Sequence, residues 1–121
     1  MRLKRAYEAW SQSDGQRILV DGIWPRGLTK AELHLDCWIR EIAPSPQLRR
    51  WFAHDRAKWD AFKRRYFREL DQRPGPVEDL IRKLGEGPLT LVYAASDVHC
   101  NNAVALKEYV ERRMEGAARR T

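Results

Sequence analysis

The chain has 121 residues, of which 43% are hydrophobic and 33% are charged. This balance is typical of a single folded domain with a real core, and it excludes an intrinsically disordered chain. The formal net charge of +6 favours anionic partners, namely phosphates, nucleic acid or charged metabolites.

Several other classes of protein are disfavoured by what the sequence lacks. The first ten residues carry no apolar signal segment, and no run approaches the length of a transmembrane helix. The two cysteines, Cys37 and Cys100, occur without a C-x-x-C pattern, so neither a disulfide framework nor a zinc site is indicated. We therefore predict a cytoplasmic protein with no membrane partner, no metal and no cofactor.

Two short strands are predicted near the amino end. The first covers residues 3–7, and the polar stretch after it ends in Ser13, Asp14 and Gly15, which is a turn signal. This connection is too short for a helical crossover, so a hairpin or a tight loop is expected. The second strand covers residues 17–21, and its continuous apolar centre indicates burial on both faces of a sheet.

Helix signals follow the second strand. Thr29 and Glu32 have the spacing of a capping box, and Ser45 and Pro46 suit an N-cap and a first helical position. Between these two starts, apolar residues at helical spacing predict one further helical turn over residues 35–42.

The second half of the chain is more regular. Residues 56–72 form the clearest helix, residues 73–76 break it, and Gly85 is placed to end the next helix in the left-handed conformation. Residues 88–95 are rich in apolar and β-branched side chains and are predicted as a strand. A last helix begins near Asn101.

This order of elements predicts the fold class. Helices between two apolar strands imply parallel crossovers. We expect one small three-layer α/β domain over residues 1–121, with a short, mostly parallel sheet of about three or four strands flanked by helices. Residues 115–121 are small and basic and are expected to fray.

Two of the predicted strands end in loops with polar side chains. Residues 21–27 follow the second strand, and residues 96–102 follow the last one. In parallel sheets such loops share one edge, where ligands bind. We therefore predict a pocket for an anionic, nucleotide-like or phosphorylated small molecule at this edge. The predicted lining residues are Asp21, Trp24, Arg26, Gly27, Asp97, Asn101 and Asn102.

The residues of the first loop each have two interpretations. Arg26 either captures a phosphate or carboxylate with both arms of its guanidinium or forms a salt bridge with Asp21 or Asp97. Trp24 either stacks on a planar ring or belongs to the core, which is the commoner role in a small domain. Gly27 either lets a ligand approach the backbone or only supplies a positive φ.

The acids and amides are equally open to two interpretations. Asp21 and Asp97 are weak candidates for a general acid and base or for metal ligands, and the alternative that we favour is helix capping and pairing with arginine. Asn101 and Asn102 either help to bind an anion at a helix start or simply cap that helix. Cys100 is not expected to act as a nucleophile, so no reaction is identified.

The basic helices suggest a different function. Residues 49–73 contain nine lysines and arginines and four acids, which makes nucleic-acid binding through the phosphate backbone the first alternative. The aromatic residues of this segment lie at core spacing, so a solvated charged face also explains the pattern. The second alternative is a protein-interaction module, which an exposed apolar patch around Trp51, Phe52 or Phe67 would favour.

Four motifs together resemble a known family. They are SDGxRxLVDxxWPRG at residues 13–27, LxLDxWxxEIAPSxxLR at 33–49, FxxRYxxEL at 62–70 and PLTLxYxAxDxxxNNAxxL at 88–106. In this order they resemble the YeaO-like members of domain-of-unknown-function family 488. The resemblance implies a small bacterial cytoplasmic α/β protein and no established activity. The chain departs from the family pattern at Gly22, where many relatives have arginine, and at Cys100, where they have histidine or glutamine.

Overall fold

The computed structural model describes residues 1–120. The strands are β1 (Arg2–Arg5), β2 (Gln16–Leu19), β3 (Cys37–Trp38) and β4 (Leu89–Tyr93). The helices are α1 (Lys30–Leu33), α2 (Pro46–Phe52), α3 (Trp59–Asp71), α4 (Pro74–Glu86) and α5 (Asn102–Arg120). Short 3₁₀ turns cover Gln12–Asp14, Arg40–Ile42 and Arg56–Lys58.

The four strands form one parallel sheet in the order β1-β4-β2-β3. β4 lies between β1 and β2, and all five of its residues are buried. All carboxyl ends therefore meet at one edge. The small parallel α/β fold is confirmed, but the expected hairpin is wrong. β1 and β2 run in the same direction, so the segment between them must return the chain to the opposite edge of the sheet.

The sheet has a thick helical layer on one face and a thin layer on the other. Because side chains alternate along a strand, Ile18 and Leu91 enter the larger core with residues of α2, α3, α4 and α5. Leu19 and Val92 point the other way, into a smaller core with Leu33 of α1. We call these the helical face and the loop face. The three-layer arrangement is thus present, with unequal outer layers.

A buried ion pair lies on the loop face. Arg17 is fully buried and donates to Asp14 Oδ2 at 2.7 Å and to the Leu33 carbonyl oxygen, and Lys4 reaches the same carboxylate at 3.1 Å. Burial alone would raise the pKa of Asp14, but hydrogen bonds from the Ser11 backbone, Lys4 and Arg17 outweigh it and leave that pKa below its ordinary value. This network joins β1, β2 and α1 without an unpaired charge.

The helical turn predicted over residues 35–42 is wrong. The structure has the two-residue strand β3 there, followed by the 3₁₀ turn Arg40–Ile42. The apolar spacing has another cause, since Ile39 and Ile42 pack in the core of the helical face, whereas Leu35 and Trp38 pack on the loop face. A segment that crosses the edge of a sheet can mimic the spacing of one helical stripe.

Two helix starts are confirmed by the structure, and one predicted helix end is wrong. The Thr29–Glu32 capping box is formed, and Ser45 caps α2 with Pro46 at its first position. Gly85, expected as a left-handed cap, lies inside α4, because that helix continues to Glu86 and the positive φ of 149° belongs to Gly87.

The remaining boundaries are shorter or longer than expected. The break predicted over residues 73–76 is confined to the two residues before Pro74, which takes the first position of α4. Helix α5 extends through the segment predicted to fray as far as Arg120, and Thr121 lies outside the described residues. None of the described helices is long and apolar enough to cross a membrane.

Candidate functional site

A cleft of about 690 Å³ opens where the carboxyl ends of β1, β2 and β4 meet. Its walls come from the loops after these strands, from the start of α5 and from α2. The predicted residues Asp21, Trp24, Arg26, Asn101 and Asn102 line it, whereas Gly27 and Asp97 do not. The volume is in the range of small-molecule sites, about 300–1,000 Å³. The parallel pairing of β2 with β4 places both loops on one edge, as the sequence predicted.

Asp21 joins the two loops. Its carboxylate accepts a hydrogen bond from the Ala94 backbone N–H at 2.9 Å and one from Asn102 Nδ2 at 3.0 Å. Burial raises the pKa of Asp21, and the hydrogen bonds from Asn102 and Ala94 and the nearby charge of Arg49 oppose that rise without cancelling it. Both carboxylate oxygens are used within the protein, so the role of Asp21 visible in the structure is to position the loops.

The loop after β2 is braced by aromatic side chains. Trp24 donates its indole N–H to the Leu28 carbonyl oxygen at 2.7 Å and packs edge-on against Trp38 with ring centroids 5.6 Å apart. Trp38 in turn donates to the Asp21 carbonyl oxygen at 2.6 Å. Trp24 thus packs against the smaller core, and another of its surfaces lines the cleft.

Arg26 is exposed at the mouth of the cleft. Within residues 1–120 it forms no ion pair with Asp21 or Asp97, so the salt-bridge alternative is absent from the structure. Tyr7 holds the backbone here by donating its hydroxyl to the Arg26 carbonyl oxygen at 2.9 Å. Gly27 has a φ of +82° and open space around its α-carbon, which agrees with a purely conformational role.

Asp97 organises the second loop rather than the cleft. Arg56 donates to both of its carboxylate oxygens at 2.8 and 2.9 Å, and the backbone N–H groups of His99 and Cys100 donate to Oδ1. The Arg56 guanidinium, followed by these two N–H groups, holds the pKa of Asp97 far below its ordinary value. Asp97 therefore holds its loop together and does not line the cleft.

The two asparagines divide their roles. Asn101 is buried and caps α5, since its Oδ1 accepts from the Val104 N–H at 2.9 Å and its Nδ2 donates to the Asp97 carbonyl oxygen at 2.8 Å. Asn102 turns its Nδ2 toward Asp21 and the Val20 carbonyl oxygen. The amino end of α5 thus forms part of the cleft wall, where a helix carries partial positive charge.

Arg49 is the residue that sequence reasoning missed. It lies on α2 and lines the cleft. Its Nε atom is buried, and among residues 1–120 it is the one buried side-chain nitrogen or oxygen with no hydrogen-bond partner. The sequence had placed Arg49 in the basic helical run. Its position at the end of the second family motif, S-x-x-L-R, was the signal that could have identified it.

Three further residues of the cleft wall were also missed. Arg5, at the end of β1, donates to the Ala95 carbonyl oxygen at 2.9 Å, so its guanidinium is held at the cleft. Tyr7 follows it, with its ring 5.2 Å from the Arg5 guanidinium carbon. His54 follows α2 in the left-handed conformation, with a φ of +58°. Arg5 and Tyr7 gave no motif, because the parallel β1–β4 pairing brings them to this edge.

The fold and the cleft together define a small parallel α/β protein with a basic cleft at the carboxyl edge of its sheet. The chain belongs to domain-of-unknown-function family 488, since the family model DUF488-N3i, described as "Inactive DUF488-N3 subclade", matches residues 1–120. This agrees with the resemblance of the four motifs.

Two bacterial relatives illustrate the similarity. The chain is 39% identical over 110 residues to the "Uncharacterized protein YeaO" of Escherichia coli, covering 91% of this chain and 96% of that protein. It is 37% identical over 114 residues to the "Uncharacterized protein Rv3073c" of Mycobacterium tuberculosis, covering 93% and 95%. No solved structure matches the chain.

Proposed function

We propose that the cleft binds an anionic small molecule of the nucleotide-like or phosphorylated class and that the protein acts by binding rather than by turnover. The observation that carries this proposal is the buried, unpartnered Nε of Arg49 in the cleft. A buried N–H without an acceptor costs about 1–3 kcal/mol, and an anion in the cleft removes that cost.

Two further features support the same function. Arg5 and Arg26 also line the cleft, and guanidinium groups are suited to phosphate recognition. The description of the matching family model as inactive supports binding without catalysis. The free state of both cysteines, Cys37 and Cys100, supports a reducing compartment such as the cytoplasm.

The first test is a thermal-shift measurement on the full chain with inorganic phosphate, pyrophosphate and nucleoside monophosphates. A ligand at a hundredfold excess over its Kd adds about 2.7 kcal/mol of stability, which raises the melting temperature by several degrees. Arg49→Gln should weaken binding about 10- to 100-fold, because a hydrogen bond to a charged group contributes about 1.5–3 kcal/mol.

The matched control is the neighbouring arginine. Arg50 lies on the same helix and is exposed, and it does not line the cleft, so Arg50→Gln should keep the full shift. Arg26→Gln should weaken binding without harming the fold, because Arg26 is exposed. A shift that survives intact in Arg49→Gln, or no shift with any of these anions, contradicts the proposed function.

Nucleic-acid binding is the second candidate. Arg64, Arg65 and Arg68 of α3 are exposed, and the Arg65 guanidinium lies over the Trp51 ring of α2 at 4.1 Å. This exposed cationic group supports contacts to phosphate backbones rather than base stacking, because the Trp51 ring is already covered by a cation.

The structure gives less support to the interaction-module alternative. Phe52 is buried, Trp51 and Phe67 are half-buried, and Phe67 packs against Tyr109 with ring centroids 5.4 Å apart. The apolar patch on which this alternative depended is therefore not exposed on the described surface.

A further inference from the structure

The cleft is lined by more positive than negative side chains. Three arginines, Arg5, Arg26 and Arg49, and one acid, Asp21, line the cleft, so these four side chains carry a formal excess of two positive charges. A ligand that balances this excess carries two negative charges. A phosphate monoester carries nearly two at neutral pH, whereas a phosphodiester or a simple carboxylate carries one.

The deep part of the cleft and its mouth present different groups to a ligand. Arg49 has its Nε buried, and its neighbours in the lining include the buried rings of Phe52 and Phe62. At the surface, Tyr7 is 44% exposed and Ile23 is 60% exposed, and both also line the cleft. These exposed apolar side chains offer contact to a ring or an aliphatic group.

The negative charge of Asp21, which lies near Arg49, is partly offset within the protein. Both of its carboxylate oxygens already accept hydrogen bonds, from the Ala94 N–H and from Asn102 Nδ2. The amino end of α5 at Asn102 adds a favourable dipole on the same wall.

From these observations, and resting on the proposed function, we infer that the ligand is a phosphate monoester that carries a planar or apolar group. Its dianionic phosphate lies against Arg49, and its organic group lies at the mouth between Tyr7 and Ile23. A nucleoside monophosphate has both parts. The inference excludes cyclic nucleotides and the diester backbone of nucleic acid as preferred ligands of this cleft.

The test compares four probes by calorimetry at fixed ionic strength: adenosine 5′-monophosphate, cyclic adenosine 3′,5′-monophosphate, ribose 5-phosphate and adenosine. We expect the 5′-monophosphate to bind at least about tenfold more tightly than the cyclic diester, although the two share base and sugar. Arg49→Gln should abolish this preference, and Arg50→Gln should keep it.

The organic end is tested with Ile23→Ser. Because Ile23 is largely exposed, this variant should fold normally and lose most of the preference for adenosine 5′-monophosphate over ribose 5-phosphate. Equal affinity for these two probes in the wild-type protein overturns the inference that the mouth of the cleft binds the organic group.

The outcomes separate this inference from the proposed function. Equal affinity for monoester and diester, both weakened by Arg49→Gln, overturns the inferred dianion while anion binding stands. If no probe binds in a manner that depends on Arg49, the proposed function fails and the inference fails with it.

Discussion

At the residue scale, two aspartates at the ends of neighbouring strands show how environment decides the role of a carboxylate. Burial raises the pKa of Asp21, whereas Arg56 and two backbone N–H groups lower the pKa of Asp97. Their contributions to stability therefore depend on pH in opposite directions. The stabilisation that Asp21 contributes is fully present below its ordinary pKa and is lost as the pH rises through its raised folded pKa. The stabilisation that Asp97 contributes is present above its ordinary pKa and is lost as the pH falls through its lowered folded pKa.

We expect Asp97→Asn to destabilise the protein near neutral pH, because the amide loses the charge that Arg56 pairs with. The difference in unfolding free energy between wild type and variant should shrink as the pH falls below 3.8, the ordinary value for this carboxyl, toward its depressed folded value. Urea denaturation at steps from about pH 7 to about pH 2 measures this.

Arg56→Gln serves as the companion variant, since it removes the other partner of the same pair. It should show part of the same loss of stability at neutral pH, and its difference from wild type in unfolding free energy should also shrink as the pH falls. A difference that stays constant over the whole pH series would show that Asp97 contributes no charge-dependent stability.

At the element scale, two glycines illustrate how backbone conformation sets the strand and helix ends. Gly15 has a φ of +64°, and a Cβ built there would lie 2.4 Å from the Pro88 carbonyl oxygen, so the start of β2 packs against the start of β4 at a distance that only glycine allows. Gly85 lies within α4, and a Cβ built there would meet open space. Glycine is a poor helix former at such a position.

Alanine substitutions should therefore have opposite effects at these two positions. Gly85→Ala should stabilise the protein by up to about 1 kcal/mol, because it improves helix propensity without strain. Gly15→Ala should destabilise it by more than that, because both its φ and its contact with Pro88 are incompatible with a side chain. Thermal unfolding of both variants provides the measurement.

The Gly85→Ala variant also discriminates between the helix end predicted from the sequence and the one in the structure. If this residue were the left-handed helix cap that the sequence predicted, alanine there would destabilise the protein. A lowered melting temperature for Gly85→Ala would thus contradict the position of the α4 boundary.

Local signals predicted the starts of the first two helices well. The Thr29 capping box and the Ser45 N-cap depend on a few adjacent residues and were found correctly. Residues 35–42 failed because their apolar side chains are shared between two cores on opposite faces of the sheet. Spacing along the chain does not report which face a side chain reaches.

The cleft was predictable only in part for a related reason. The strand-end rule predicts Asp21 and Asn102 at this edge, and both line the cleft. The same rule predicts Asp97 there, but Asp97 pairs with Arg56, which lies 41 residues away in sequence and is not indicated by any local pattern. Arg49 lies among other arginines of a basic segment, and only its place at the end of the second family motif sets it apart, since the burial of one side-chain atom is not visible in composition or spacing.

At the scale of the whole molecule, which carries a net charge of +6, two groups of arginines differ in character. The cleft holds arginines beside buried rings, whereas Arg64, Arg65 and Arg68 lie exposed on α3. An exposed group of charges is screened by salt, and a recessed group is screened less. The two candidate functions therefore differ in their expected dependence on ionic strength.

If the exposed group binds nucleic acid, affinity for a DNA duplex should fall steeply with salt. Replacing Arg64, Arg65 and Arg68 together by glutamine should reduce the slope of log K against log salt by up to about 3, since each phosphate contact contributes about 0.9. A filter-binding or fluorescence titration at several salt concentrations measures the slope.

The control for this triple variant is Arg82→Gln on α4, because Arg82 is exposed and already paired with Asp79. It should leave both the slope and the thermal shift with small anions unchanged. Duplex binding that is absent or insensitive to salt removes nucleic acid from the candidate functions.

The position of β4 in the middle of the sheet has a consequence for how the chain folds. During synthesis β1 and β2 emerge first, yet neither pairs with the other, and β1 has no strand neighbour until residues 89–93 appear. Non-local pairing of this kind slows folding and favours a cooperative, all-or-none transition. Asp21 meets Ala94 and Asn102 only through that strand and the helix after it, so the cleft is complete only when the last strand is in place.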